Sequence, residues 1–435
     1  MIGSEKRIQI LSNILYTKKA QNYLYRDFKL IFKDFILSAQ LSITALFILI
    51  AFGYSINNPL FEAPDEIWHY EYVRWLKEGH GLAEPADIGH APWAQEGTQP
   101  PLYYLLGAAL ISGISTENAE SAIHYNPHSD IGNAEAFGNK NQMIHGEQER
   151  WPWHGMALSV HLLRCFSILL GATTVLCTGA IARHLSQNPV IVATAMSLVA
   201  FNPQFLFISA SVSNDNLVTA LSTVALWLLL RILSQDAPPT RNILILLGAL
   251  SGALALSKLS GLLIIPITFL CLIWLAWQRR SSYELLRSSS IVGLTALAVA
   301  GWWYVRNWVL FGDPLALNAM FAVLPARTES AGVAELISLW PGIWRSFWAV
   351  FGWFNIVVDE WAYIVYTFIA GMAALSLVFK LLRYTFSREP FLRQLFLSRA
   401  TVSWFLLIGW SAGITSFWCA GHRSTTHRGG CSFLP

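Results

Sequence analysis

Directly after its first apolar run the chain reads Ala63-Pro64-Asp65-Glu66-Ile67-Trp68-His69. Pro64 suits the first position of a helix, and the carboxylates of Asp65 and Glu66 then fall in the first turn, where the helix dipole favours anions. His69 follows Asp65 by four residues and Glu66 by three, so on a helix all three side chains can address one site. An acidic helix start with an interfacial imidazole would use these residues without chemistry. The chemical alternative is a carboxylate general base, or carboxylate and imidazole ligands for a divalent metal such as Mg or Mn.

Three further groups could complete such a centre. Glu96-Gly97-Thr98-Gln99-Pro100-Pro101-Leu102-Tyr103-Tyr104 joins an acid and an amide to a proline-fixed entry and an amphipathic helix with tyrosines near the headgroups. Glu96, Gln99 and Tyr103 are its candidates. Asp215, in Ser213-Asn214-Asp215-Asn216, lies between two apolar runs as either a helix cap or a wall of the site. Lys258 occupies a turn with almost no loop, and Arg306 ends the run Trp302-Trp303-Tyr304-Val305-Arg306-Asn307. Either cation alone could snorkel to headgroups. Together with the acids and His69 they suit a phosphorylated lipid beside an acid–base centre.

The elements that position these residues follow from composition. The 435 residues are 54% hydrophobic and only 13% charged, about half the charge of a soluble domain. Apolar blocks of about 20 residues match the length needed to cross ~30 Å of hydrocarbon. The fold class is therefore all-α and polytopic. Candidate spans are 35–55, 158–182, 189–211, 216–234, 242–257, 259–277, 289–310, 361–380 and 400–418, while 99–116 and 340–358 are expected to lie at the interface. The net charge of +3 comes with no Lys/Arg run interleaved with aromatics, which argues against nucleic acid. Cys165, Cys177 and Cys271 lie in apolar spans, and Cys419 and Cys431 flank a polar tail without metal-finger spacing.

Orientation follows from the Lys/Arg bias. With the basic segment 1–34 inside and the first span acting as a signal anchor, inner loops hold Arg183, Arg231, Arg241, Arg279, Arg280 and Arg287. Asp65, Glu96, Asp215, Lys258 and Arg306 then all emerge on the outer face, in or beside the connections 56–157, 212–215, the tight turn at Lys258 and 311–360.

The order of these motifs resembles the GT-C membrane glycosyltransferases. Pro64-Asp65-Glu66-x-x-His69, Pro100-Pro101-Leu102-Tyr103-Tyr104, Asn202-Pro203 through Ser213-Asn214-Asp215, Arg306-Asn307 with Phe311-Gly312-Asp313-Pro314, and Phe347-Trp348 with Phe351-Gly352-Trp353 carry the likeness across about 35–418. It is similar above all to a bacterial branch of that superfamily. The resemblance implies a GT-C-like bundle of about nine transmembrane helices in the plasma (inner) membrane, with an extracytoplasmic active face. It implies a polyprenyl-phosphate sugar donor, a glycan, lipid or protein acceptor, and inversion at the sugar. Asp65 or Glu66 would be the base or metal carboxylate, Glu96 or Gln99 would lead the interfacial helix, and Asp215 and Lys258 would line the site, Lys258 against phosphate.

Two features depart from that pattern. The polar stretch 117–157, with His124, His128, His145 and His154, has no counterpart and would be a lid or a plain loop. The tail 419–435 does not continue like a membrane protein, so a truncated end is expected. The rival readings are a transporter or flippase, which would place charges near the bilayer midplane, and a non-catalytic envelope protein.

Overall fold

The computed structural model describes residues 38–324 and 333–385, with 403, 407–409 and 411. The basic segment 1–34, most of the expected span 400–418 and the tail 419–435 with Cys419 and Cys431 lie outside the described residues.

The chain is helical almost throughout, as its hydropathy pattern predicts. The main helices are α1 (Ser38–Asn57), α2 (Glu66–Lys77), α3 (Leu102–Leu110), α4 (Gly155–Leu185), α5 (Pro189–Ala200), α6 (Pro203–Ser209), α7 (Asn214–Leu233), α8 (Arg241–Ala255), α9 (Ile264–Arg279), α10 (Ser282–Phe311), α11 (Trp340–Trp348) and α12 (Glu360–Thr385). Among the described residues five helices are long and apolar enough to cross a bilayer, or six if the bent pair α5–α6 counts as one span.

Several expected boundaries move for identifiable reasons. The span read at 189–211 is broken: α5 and α6 meet at 59°. Pro203 cannot continue the α5 hydrogen bonds, and the Asn202 side chain caps the new helix by accepting from the Phe205 amide. The span read at 242–257 stops at Ala255, leaving Ser257 in a turn and Lys258 extended ahead of the 3-10 turn Leu259–Leu263 and α9. The segment 99–116 yields only the nine-residue α3, about 14 Å long, too short to span. The segment 340–358 splits into α11 and a small antiparallel hairpin pairing Val350–Phe351 with Ile356–Val357.

α7 is the central helix, with 67% of its apolar window buried. It packs between α4 and α8, while α8 lies against α10. Gly248 and Gly252 form that last contact: a Cβ on Gly248 would stand 2.7 Å from the Val292 carbonyl oxygen, and one on Gly252 would stand 2.6 Å from the Val299 Cβ. Small residues let two helices approach where the hydrophobic effect between them is absent. α10 meanwhile presents Leu294, Leu297, Val305, Trp308 and Val309 outward, as a lipid-facing helix would.

The alternation of helices brings the end of α1, the starts of α4, α7 and α9, and the ends of α6, α8 and α10 to one end of the bundle. There α2 and α3 lie on a core of Tyr70, Tyr72, Trp93, Tyr103, Tyr104, Val212 and Trp353. Replacing Gly248 by Val should lower stability by about 1–3 kcal/mol through overpacking. Thermal unfolding in detergent checks this, and an unchanged transition would contradict the packing.

Candidate functional site

The first and second carboxylates of the Asp65-Glu66 pair have opposite fates. Glu66 is fully buried against Arg164, whose Nε and Nη2 donate to its two oxygens at 2.8 and 2.7 Å. Those same oxygens accept the amides of Phe61 at 3.0 Å and Val212 at 2.9 Å. Arg164 also donates to the carbonyls of Ser55, Asn58 and Pro59. Every lone-pair direction on Glu66 is thus occupied. The base or metal role considered for Glu66 is corrected by this geometry: it is the anchor of the segment.

Asp65 remains free. Its backbone is left-handed, φ 59°, as is that of Phe61, φ 65°. Asp tolerates this region better than most residues, whereas a bulky aromatic there is a true outlier. Phe61 is held in place because its amide binds Glu66 and its carbonyl accepts from the Trp353 indole at 3.0 Å. The Asp65 carboxylate makes no hydrogen bond among the described residues and is only partly covered. Burial pushes its carboxyl well above the ordinary carboxylate range; the neighbouring charge of Glu96 adds to the rise, Lys258 opposes it and Asp215 adds a little.

Glu96 lies across from it, brought there by the 3-10 turn Glu96–Thr98 ahead of α3. Its carboxylate accepts from Tyr104 Oη at 2.7 Å, Gln99 Nε2 at 2.7 Å and Gln95 Nε2 at 3.0 Å. Burial, only partly offset by the Tyr104 hydrogen bond and Lys258, raises its carboxyl to about 7. His69 Nδ1 stands 3.2 Å from Glu96 and 3.0 Å from the Tyr104 hydroxyl. Burial first, then the Lys258 charge, holds His69 well below its usual pKa. The ring is therefore neutral, and with the Tyr104 proton directed at Glu96 the network is satisfied when Nδ1 carries the hydrogen.

The third wall is cationic. Lys258 Nζ lies 2.5 Å from Asp215 Oδ1, Asp215 being fixed at the start of α7 by the Ser213 cap. Burial works against the ammonium, but Asp215, Glu96 and Asp65 outweigh it and raise its pKa. The turn carrying Lys258 is tied to α3 through the Leu102 amide, which donates to the Leu256 carbonyl at 2.8 Å. Gln99 joins the two walls by accepting from Asn214 Nδ2 at 2.6 Å.

The structure therefore brings together Asp65, His69, Glu96, Gln99, Asp215 and Lys258. It does not bring in Tyr103, whose hydroxyl instead pairs with Ser167 and accepts the Ser213 amide. Arg306 is also turned elsewhere: it donates to the carbonyls of Leu82 and Ala83 and lies over the Trp303 ring. Of the expected metal ligands Asp65, Glu66 and His69, Glu66 has both oxygens taken by Arg164 and two backbone amides, and Nδ1 of His69 faces Tyr104 and Glu96. Among the described residues no three His, Cys, Asp or Glu side chains are grouped to hold one.

Sequence reasoning missed Arg164, Tyr104 and Asn214. A charged residue inside the apolar run 158–182 was the available signal for Arg164. Tyr103 and Tyr104 are adjacent, so only the roughly 100° helical step separates the site side chain from the packing one.

With this geometry in hand, residues 150–326 match the family model of dolichyl-phosphate-mannose-protein mannosyltransferases. The match contains Arg164, Asp215, Lys258 and Arg306 and begins after Asp65, His69 and Glu96. The likeness to GT-C glycosyltransferases is borne out over that stretch. No curated protein matches the chain. Three solved chains do; among them the S. cerevisiae protein O-mannosyltransferase Pmt1-Pmt2 complex bound to the sugar donor is 17% identical, with 65% of this chain and 33% of that chain covered at a TM-score of 0.39. The chain thus spans about a third of that relative's length.

Removing the Glu66 charge leaves Arg164 buried without its anion, a change that costs about 3–5 kcal/mol. Glu66→Gln should therefore lower the unfolding temperature sharply, whereas Asp65→Asn, which breaks no internal bond, should leave it nearly unchanged. Equal shifts in a thermal melt of the two purified variants would contradict the division of roles.

Proposed function

We propose that the chain is a membrane glycosyltransferase that moves a sugar from a polyprenyl-phosphate donor to an acceptor hydroxyl at the extracytoplasmic face. The observation that carries this reading is the pairing of one unbonded carboxylate, Asp65, with a cation, Lys258, at one end of an apolar bundle. The family-model match over 150–326 supports the donor class.

In this mechanism the acceptor oxygen attacks the anomeric carbon from the face opposite the phosphate. As the new C–O bond forms, the acceptor proton passes to Asp65, and the bond to the phosphate oxygen breaks with its electron pair. Sugar configuration inverts. Burial and Glu96 make Asp65 a stronger base than a solvated aspartate, which suits proton removal near neutral pH. Lys258, held by Asp215, faces the charge growing on the departing phosphate, the electrostatic contribution that usually dominates. Glu96, Tyr104, Gln99 and Asn214 fix the spacing between those two walls. The acceptor, glycan, lipid or protein, is selected outside this centre. The charges gather at one end of the bundle, and this disfavours the transporter reading.

Asp65→Asn should lower transfer from a radiolabelled polyprenyl-phosphate sugar by about 10²–10⁴-fold in detergent-solubilised membranes, with the protein still folded. Near-normal turnover would remove Asp65 from the role.

Glu96→Gln tests the coupling of the two acids. Because Asp65 works deprotonated, transfer should rise with pH as the pair loses protons, through about 7 for Glu96. Removing the Glu96 charge lowers the Asp65 pKa, so the acid limb of the pH–rate profile should move to lower pH. A limb that stays put or moves upward would contradict the coupling.

A further inference from the structure

The polar stretch 117–157 lies outside the mechanism, yet it is a built element. Two of its stretches pair antiparallel: the Asn126 amide donates to the Gln142 carbonyl at 2.9 Å, and the Ile144 amide donates to the His124 carbonyl at 2.8 Å. From one side of this ribbon four hydrogen bonds reach Leu60 and Glu62. Glu62, itself buried, accepts the amides of Gln142 at 2.8 Å and Met143 at 2.9 Å. His145 then bridges two acids, its Nε2 2.9 Å from Glu62 and its Nδ1 2.9 Å from Glu149. Glu149 reaches on to the Leu60 amide at 3.5 Å. The far side of the ribbon is braced by the outer hairpin, where the Gly132 amide donates to the Trp353 carbonyl and the Trp353 indole donates to Phe61.

We propose that His145, gripped by Glu62 and Glu149, is a positioning residue that clasps 117–157 onto the loop 58–65 and so holds Asp65 in its left-handed, unbonded pose. The proposal rests on the reading of Asp65 as the base, but the clasp itself can be measured without catalysis.

An imidazole that hydrogen-bonds carboxylates at both nitrogens must carry two hydrogens, and so a positive charge. Both neighbours facing it are acidic, Glu62 from the loop and Glu149 from its own segment; the nearby charges Glu147 and Arg150 pair with each other at 2.9 Å. Burial works against the charged ring, but hydrogen bonds to Glu149 and Glu62 raise its pKa to about 9. A group whose pKa is raised by folding contributes fully below its unfolded value, near 6.5, and loses that contribution as pH climbs through about 9. The clasp should therefore be closed at neutral pH and open in alkali.

Hydrogen–deuterium exchange of the full-length protein in detergent, corrected for intrinsic rates, tests this. In His145→Ala the peptides 58–66 and 142–149 should lose protection together, by about tenfold, the scale of one charge-assisted hydrogen bond. Peptides of α4 should not change. Wild-type protein should show the same joint loss between pH 7 and about 10, and His145→Arg, which keeps charge and bridging donors, should flatten that pH dependence. If 142–149 loosens while 58–66 does not, or if neither responds, the proposal is overturned; should His145→Ala fail to fold, the wild-type pH series decides alone. In a parallel transfer assay His145→Ala should lower kcat more than KM for the donor, with His145→Arg restoring it. A wild type that transfers nothing would defeat the functional reading while leaving the exchange result standing.

Discussion

The organisation of this molecule depends on one buried ion pair, Arg164 with Glu66, neither of which is exposed at all. Burying two charges in a low-dielectric interior is unfavourable unless geometry and further hydrogen bonds compensate. Here they do: the guanidinium serves three carbonyls as well as the carboxylate, and the carboxylate serves two amides as well as the guanidinium. The groups so joined come from the end of α1, the start of α2, the first third of α4 and the segment before α7. The pair is thus the point at which the outer loop and three spans are locked to one another.

That lock explains why two neighbouring acids behave so differently. Glu66 points into the bundle and is saturated, so Asp65, in the left-handed region beside it, points away and makes no hydrogen bond among the described residues. A carboxylate left unsatisfied on a strained backbone persists only where its surroundings fix it. The surroundings are Glu96 and Lys258, one raising its proton affinity and the other limiting the rise. Lys258 is in turn restrained by Asp215. The centre is three carboxylates, Asp65, Glu96 and Asp215, gathered around the one cation Lys258, each brought in by a different turn or helix end.

Much of this was legible in the sequence. Hydropathy located the apolar helices, though five or six of the nine expected spans are long enough to cross a bilayer among the described residues, and the Lys/Arg bias put Asp65, Glu96, Asp215 and Lys258 on one face, where the structure gathers them. What escaped was specified by partners distant in the chain. Arg164 reads as an isolated charge until Glu66, 98 residues away, is seen beside it. His145 and Glu62 are separated by 83 residues, and nothing local marks their meeting. The exchange of Tyr103 for Tyr104 is a register error of one residue, which a helix converts into a different face. The break at Asn202-Pro203 carried its signal openly, since proline after an N-capping asparagine starts a helix rather than continues one. Arg306 was read as a phosphate contact because it ends a span; its guanidinium instead supports the loop at Leu82 and Ala83.

In the proposed reaction, side chains from four separated stretches surround the anionic head of a lipid donor. A structure of the full chain with a non-hydrolysable polyprenyl-phosphate sugar analogue tests it most directly. The phosphate should lie within about 3 Å of Lys258 Nζ, with the anomeric carbon between it and Asp65. A phosphate seated elsewhere in the protein, with Lys258 still closed on Asp215 and no sugar near Asp65, would contradict it.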